Sequence, residues 1–536
     1  MQKVLLFLCF IYSSILFAQE DAWVYFVDKP NASTFLNNPT SMLSQRALDR
    51  RSKQNISVDF TDVPIDITYY NAIKNVTGIT VLAKSKWLNA IHVRGNQSDI
   101  DGLETLFSFV LKIDFANKLL NNRGVSQQQT AHHLEKLNTN ENFNYGNATN
   151  QIEMLKGDYL HEEGYTGDGM IIAILDAGFP NVNTLSGFQR LRDHNKILGG
   201  YNFVERTNNF YSRDSHGTHV LSDIGGYLEN QFVGTAPDAS FYLFITEDYQ
   251  RETPLEESLW VEAAEKADSL GVDVINTSLG YSTFDNSNYN YTYADMDGKT
   301  TFISRGAELA ASRGMLLVNS AGNSGSSAWF YVTAPADAPS ILTVGAVDAS
   351  RNLASFSSRG PTFDNRIKPD VMAQGRSSGI INYISGNPTS ASGTSFSSPI
   401  MAGSVACLWQ AFPNKTSEEI IQTIKNSADR ATVPDNNFGY GIPDFQLAYT
   451  VLSEQNDIGL KDVNIYPNPV SNQLSFTFTN NQSEYQIDVY NVIGKKVISY
   501  IDLTSNSIDV SSLSRGIYIL KMIHQSEYKT FKLIKR

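Results

Sequence analysis

Four polar residues stand where apolar runs end or helical patterns begin, and their types together suit one reaction. Asp176 closes the run Met170-Ile171-Ile172-Ala173-Ile174-Leu175 and is followed by Ala177-Gly178, a sharp exit from a strand. His216 lies in Ser215-His216-Gly217-Thr218-His219-Val220, where a glycine lets the chain turn tightly into a helical pattern. An imidazole at that helix start, aimed at a strand-end carboxylate, is held in one tautomer. Ser395 lies in Gly393-Thr394-Ser395-Phe396-Ser397-Ser398-Pro399, ahead of the apolar helical stretch Ile400–Trp409. Pro399 suits a first helical turn, which needs no backbone donor. The Ser395 hydroxyl is then expected at the positive end of a helix dipole, where developing negative charge is favoured. Asn323 follows the strand Met315–Val318, and a side-chain amide at a strand end can donate to an oxyanion.

Each residue has a plainer reading alone: Asp176 and Asn323 as turn formers, Ser395 as a helix cap. Together they supply a nucleophile, a base, a carboxylate that orients the base and an oxyanion donor, which is what nucleophilic acyl transfer requires. The chain order Asp, His, Ser separates candidate families. Rival chemistries fit less well. His216 and His219 lack the glutamate and the i, i+4 spacing of a His-Glu-x-x-His metal site and no third ligand is apparent, so no metal is expected and His219 is read as packing or as a support to the residues that react. Gly375-Arg376-Ser377-Ser378-Gly379 matches the Gly-x-Ser-x-Gly pattern of esterases, but the following Ile380-Ile381 and Tyr383-Ile384 read as extended, and Ser377 comes after both Asp176 and His216. A binding protein on a decayed enzyme scaffold would usually lack a reacting group, and all four are present.

The elements that must position these residues follow from periodicity. Over 151–452, short continuously apolar runs (Met170–Leu175, Ser240–Thr246, Val272–Ile275, Gly314–Val318, Ile341–Val347) alternate with helical patterns such as Leu255–Leu270 and Ile303–Ser312. That alternation predicts an α/β fold with a parallel sheet covered by helices on both faces. Ligands in such sheets gather outside the carboxyl ends of the strands, where Asp176 and Asn323 fall. Residues 22–117 predict a small α+β unit of order β-α-β-β-α-β, with strands at Ala22–Val27, Ile79–Leu82, Ala90–Val93 and Leu111–Phe115 and helices over Ser41–Lys53 and Ser98–Val110. Residues 118–150, rich in Asn, Gln and Thr, read as an exposed linker. After a second linker at 453–463, residues 464–536 alternate like a small antiparallel β-sandwich, with Leu474–Phe478 and Gln486–Tyr490 as strands. Residues 1–18, with Lys3 ahead of an apolar run ending at Leu16-Phe17-Ala18, read as a cleaved export signal.

Composition narrows the partners. The 536 residues carry 42 Lys+Arg against 55 Asp+Glu, a net charge of −13, which argues against a nucleic-acid binder. No stretch after the signal is long and apolar enough for a transmembrane helix. The two cysteines are Cys9 and Cys407, and Cys9 lies in the expected signal, so neither an intrachain disulfide nor a Cys-x-x-Cys metal site is available.

At these residues the chain resembles the subtilisin-like serine peptidases, the subtilases. The matching stretches are Ile174-Leu175-Asp176-Ala177-Gly178, His216-Gly217-Thr218-His219-Val220, Gly234-Thr235-Ala236-Pro237, Asn276-Thr277-Ser278-Leu279-Gly280, Ala321-Gly322-Asn323 and Gly393-Thr394-Ser395, with Phe356–Pro361 and Lys368–Ala373 besides. They run in family order from about Gln151 to about Tyr449. The resemblance implies a secreted serine endopeptidase that hydrolyses polypeptides through an acyl-enzyme. It assigns Asp176, His216 and Ser395 as the triad, Asn323 as oxyanion donor, and Ser278, Leu279 and Gly280 as an edge strand for the substrate backbone. Ala177, Phe396, Ser397 and Gln374 depart from the family's usual residues, and none of them removes a reacting group. Residues 19–117 resemble subtilase propeptides, which are ferredoxin-like and act as folding chaperones and intramolecular inhibitors until cut away, here expected within 118–150. The end of the chain, with Tyr466-Pro467-Asn468-Pro469 and a basic terminus, resembles the sorting domains of type IX secretion cargo in Bacteroidetes, so that secretion machinery is the implied partner. The resemblance implies no required cofactor and allows calcium as a structural ion. The loop Tyr281–Thr300 carries Asp285, Asp295 and Asp297, although Asp295-Met296-Asp297-Gly298 lacks the other ligands of an EF-hand loop and a solvated insertion is the plainer reading.

Overall fold

A computed structural model describes residues 19–121, 143–456, 464–477, 485–491, 495–500, 506–524 and 527–536. The expected signal at 1–18, most of the 118–150 linker, residues 457–463, Phe478 and the turn at 492–494 lie outside the described residues.

The continuously apolar runs form a seven-stranded sheet in the order Val371–Gln374, Leu342–Val347, Leu316–Ser320, Val274–Thr277, Ile171–Asp176, Ser240–Ile245, Ile197–Asn202. All neighbours are parallel. A parallel sheet needs both faces covered, and alternate residues divide the work. Ala173, Leu175, Ile275 and Leu317 pack with Trp260 and Phe302 of the helices Pro254–Leu270 and Phe302–Ser312. The helices His216–Gly225 and Thr394–Ala411 pack on each other and on the strands. The second of these is buried along all 18 residues, which explains its lack of a polar stripe.

The amino-terminal unit is a four-stranded antiparallel sheet, ordered Thr80–Ser85, Ala90–Asn96, Gln19–Phe26, Val110–Phe115. Its first strand is buried on both sides: Ala22, Val24 and Phe26 face the unit's own core, while Trp23 and Tyr25 join the core of the 254–270 and 302–312 helices. Trp23 stacks on Phe302 at 4.7 Å and donates its indole N–H to Ser258 Oγ at 2.8 Å.

The expected helix Ser41–Lys53 exists as Gln45–Lys53, but it contributes nothing to the unit's apolar core, where Ile67–Lys74 sits instead through Tyr69, Tyr70 and Ile73. The basic helix has no apolar stripe, so it is buried by charge: Arg50 and Arg51 pair with Asp268 at 2.6 and 2.7 Å, and Arg51 also with Asp62 at 2.6 Å. These cations hold the Asp268 carboxyl down at about 2 against the upward pull of its burial.

The carboxy-terminal unit has two antiparallel sheets, of three and four strands, that share a core including Leu474, Phe476, Val489, Leu520 and Leu533. No helix among the described residues is long and apolar enough to cross a membrane.

Candidate active site

The strand Ile171–Asp176 lies beside Val274–Thr277 at the sheet's centre, and both deliver their ends to the same crevice. Asp176 is 2% exposed. Its Oδ1 accepts from the Ala177 backbone N–H at 2.7 Å and from His216 Nδ1 at 2.8 Å, while Oδ2 is buried without a partner among the described residues. His216 is the first residue of its helix. Gly217 makes the approach feasible: a Cβ there would stand 2.5 Å from the Gly178 carbonyl oxygen and 3.0 Å from Asp176 Cβ. Burial pulls the His216 imidazole down, but the carboxylate of Asp176, with Asp214 and Glu247 behind it, outweighs this and holds its pKa above the ordinary value. With Nδ1 on the carboxylate, Nε2 is the nitrogen left for exchange with a reactant.

Ser395 stands in the first turn of the Thr394–Ala411 helix, 9% exposed. Its hydroxyl donates to the Ser278 carbonyl at 3.3 Å rather than to the imidazole. The ring of the adjacent Phe396 lies 6.0 Å from that of His216. The expectation that Pro399 opens this helix is corrected: the helix begins at Thr394 and Pro399 lies inside it. Pro399 has no N–H for the carbonyl four residues earlier, which is that of Ser395. The Ser278 hydroxyl supplies the missing donor at 3.0 Å, so a residue of the adjoining strand end repairs the helix where the serine sits.

Asn323 is exposed, but its amide is oriented. Oδ1 accepts from the Thr394 backbone N–H at 2.9 Å and from the Thr394 hydroxyl at 3.1 Å. A backbone N–H can only donate, so the other end of the amide must be Nδ2, which has no partner among the described residues. A Cβ on Gly393 would lie 3.7 Å from both Nδ2 and the Ser395 backbone nitrogen. Both nitrogens therefore border the space that glycine leaves open.

Ser278, Leu279 and Gly280 continue the strand Val274–Thr277 toward the surface, Ser278 buried and Gly280 exposed. Among the described residues the Leu279 N–H and both backbone polar groups of Gly280 have no partner, an edge that an extended chain can pair with. Beside it a cavity of about 360 Å³ opens between Asp176 and His216 on one side and Ser278 and Leu279 on the other. Its remaining wall is acidic, with Glu247, Glu252, Glu256 and Asp285 among its residues. Sequence reasoning missed this wall, although the density of carboxylates over 247–257 was there to be read.

Other candidates fall away. His219 packs against the Tyr383 ring at 5.6 Å, and its pKa is lowered by burial. Ser378–Ile381, overlapping the Gly-x-Ser-x-Gly match, is a strand rather than the start of a helix. In the 281–300 loop, Asp285 accepts from the Glu252 N–H, Asp295 pairs with Lys118, and Asp297 accepts from the Lys299 and Thr300 N–H groups. These scattered carboxylates do not fit a calcium ligand set, and no group of three metal-ligating side chains occurs among the described residues.

With the geometry in hand, comparison places the chain among known proteins. Residues 167–441 match the model of the subtilase family, residues 21–133 that of the peptidase S8 propeptide domain of Bacteroidota, and residues 464–536 that of a secretion system C-terminal sorting domain. Subtilisin E of Bacillus subtilis (strain 168) is 33% identical over 300 residues, covering 54% of this chain and 68% of the relative. Subtilisin DY of Bacillus licheniformis is 30% identical over 293 residues, covering 54% of this chain and 93% of the relative. The sorting domain indicates secretion or attachment at the cell surface.

Proposed function

The chain belongs to the subtilase family of serine peptidases, and from that premise we propose that it hydrolyses polypeptides through an acyl-enzyme on Ser395, with Asp176 and His216 completing the triad. The observation that carries this reading is the 2.8 Å bond from His216 Nδ1 to the buried Asp176 carboxylate, formed beside the first turn of the Ser395 helix.

Rotation of the Ser395 hydroxyl about Cα–Cβ, from the Ser278 carbonyl to His216 Nε2, moves it between staggered wells. Such bonds commonly tighten only when substrate is bound. Ser395 Oγ attacks the peptide carbonyl while Nε2 takes its proton, and Asp176 stabilises the imidazolium. The Asn323 Nδ2 and Ser395 N–H groups receive the oxyanion in the space beside Gly393. Nε2 then protonates the leaving amine, and water, activated the same way, releases the acyl group. The substrate backbone pairs with Ser278, Leu279 and Gly280. Residues 19–117 act as chaperone and intramolecular inhibitor and are removed by a cut within 118–150; 151–452 form the catalytic domain, and 464–536 hand the protein to the type IX secretion machinery. The interface of Trp23, Arg50 and Arg51 with the 254–270 helix supports an inhibitor held tightly before that cut.

Ser395→Ala tests the assignment. The purified variant is expected to lose peptide hydrolysis, labelling by a fluorophosphonate probe and removal of the propeptide together. Retained cleavage would overturn the role of Ser395, and a wild-type protein that neither labels nor cleaves would identify an inactive scaffold.

A further inference from the structure

The acidic cavity beside His216 has more carboxyl groups than cations to pair with them. Asp248 is paired with Arg213 and, at 3.3 Å, with Arg251. Glu247, Glu252, Glu256 and Asp285 have no cation within ion-pair distance among the described residues. Glu256, 2% exposed, accepts from the backbone N–H groups of Asp248 and Thr253 at 2.7 and 2.9 Å. Glu247 accepts from the Tyr281 hydroxyl. Asp176, also lining the cavity and 2% exposed, keeps a buried Oδ2 without a partner among the described residues.

We propose that this cavity receives the cationic side chain of a lysine or arginine of the peptide substrate, close to the scissile bond. The proposal rests on the peptidase reading above and adds the class of residue that the cleft selects. Position supports it first: Ser278 and Leu279 belong both to the cavity wall and to the open backbone edge, so a peptide paired with that edge passes the cavity mouth. Shape supports it second. A bare metal ion needs three or more ligands converging on one point, and no such group exists among the described residues. Carboxylates spread around about 360 Å³ instead match a long side chain with several N–H donors. Charge supports it third, because carboxyl groups outnumber the one arginine of the lining, Arg251, which is paired with Asp248, and such a surplus favours a cationic ligand. Burial, with mutual repulsion added to it, pushes the carboxyls of Glu247 to about 8, Glu252 to about 7 and Glu256 to about 10, so in the empty site Glu247 and Glu256 keep their protons near neutral pH and ionise when a cation enters. A cation among them would relieve that penalty.

Internally quenched peptides test this on the protein as secreted and self-processed. One series moves a single lysine through each position flanking a fixed scissile bond, against norleucine and glutamate at the same positions. At one position lysine is expected to exceed norleucine in kcat/KM by about 10- to 100-fold, the value of one or two charge-assisted hydrogen bonds, with glutamate lowest. In Glu252→Gln and Asp285→Asn that lysine-to-norleucine ratio is expected to shrink. Equal rates for lysine and norleucine at every position, or a ratio that neither variant changes, overturn the proposal while leaving the peptidase intact. Failure to cleave any peptide overturns the peptidase reading itself and this inference with it.

Discussion

Replacing Gly217 by alanine puts the His216–Asp176 contact under direct strain. The added methyl would start 2.5 Å from the Gly178 carbonyl oxygen, 2.7 Å from Phe179 Cε1 and 3.0 Å from Asp176 Cβ. Carbon atoms pack at roughly 3.5–4.0 Å, so relief needs a shift of roughly half to one ångström. Phe179 is buried, and Asp176 is held in the sheet by the Thr246 N–H on its carbonyl at 3.0 Å. The first turn of the 216–225 helix is then what moves, and it takes the imidazole with it. Overpacking of this kind costs about 1–3 kcal/mol of stability, and a misplacement near 1 Å costs about 10²-fold in rate. The pH profile gives the sharper signature. Only neutral His216 can accept the serine proton, and Asp176 holds its pKa above the ordinary 6.5, so wild-type kcat/KM should rise through a midpoint above that value. As the carboxylate recedes, the burial that opposed it remains, and the midpoint should fall. The assay is kcat/KM against pH together with the rate of fluorophosphonate labelling, with thermal melts to correct for unfolded protein. A folded Gly217→Ala enzyme with wild-type kcat/KM and an unmoved acid limb would refute the reasoning.

Asn323→Ala should lower kcat by about 10²–10³ with little change in KM, the size seen when such a side-chain donor is removed from a subtilisin; a loss confined to KM would count against the oxyanion role. Ser278→Ala should destabilise the chain by about 1–3 kcal/mol, because the Ser395 carbonyl loses its donor. Pro399→Ala returns a backbone N–H to that carbonyl, so losses that simply add in a double-mutant cycle of thermal stability would contradict the repair. Asp223 is fully buried with Oδ2 unpartnered among the described residues, and burial raises its carboxyl well above the ordinary range. Its folded form keeps a proton that the unfolded chain releases above about pH 4. Wild-type stability from this group is therefore complete below that pH and declines as pH rises toward the folded value. Asp223→Asn should show a melting-temperature advantage that widens from pH 4 to 8, and an advantage independent of pH would rule this out.

Much of the architecture was legible before any coordinates, because strand and helix periods are local. The runs around Ile174, Ile275 and Val318 read as buried strands and are strands, and the 254–270 helix announces itself by Thr253, Pro254 and Gly271 at its ends. The candidate site was legible for a different reason. Acyl transfer needs a particular set of residue types, and short motifs carried them in order. Errors arose where a distant partner decided the outcome. Pro399 misplaced the helix start because the hydroxyl that lets a proline sit inside comes from Ser278, 117 residues before the Ser395 carbonyl it serves. The Ile67–Lys74 helix went unforeseen, and the burial of the Gln45–Lys53 helix could not be read because it depends on Asp268, more than 200 residues downstream.

By itself the sequence determined which segments would be strands and helices and which side chains had the chemistry to react, since propensity, periodicity and functional groups belong to each residue. Tertiary structure decided that Asp176 faces His216 across Gly217, that Asn323 presents Nδ2 beside Gly393, and that Glu247, Glu252 and Glu256 share one cavity with displaced pKa values. Hydrogen-bond direction, desolvation and charge repulsion are set by neighbours in space, and folding alone brings those neighbours together.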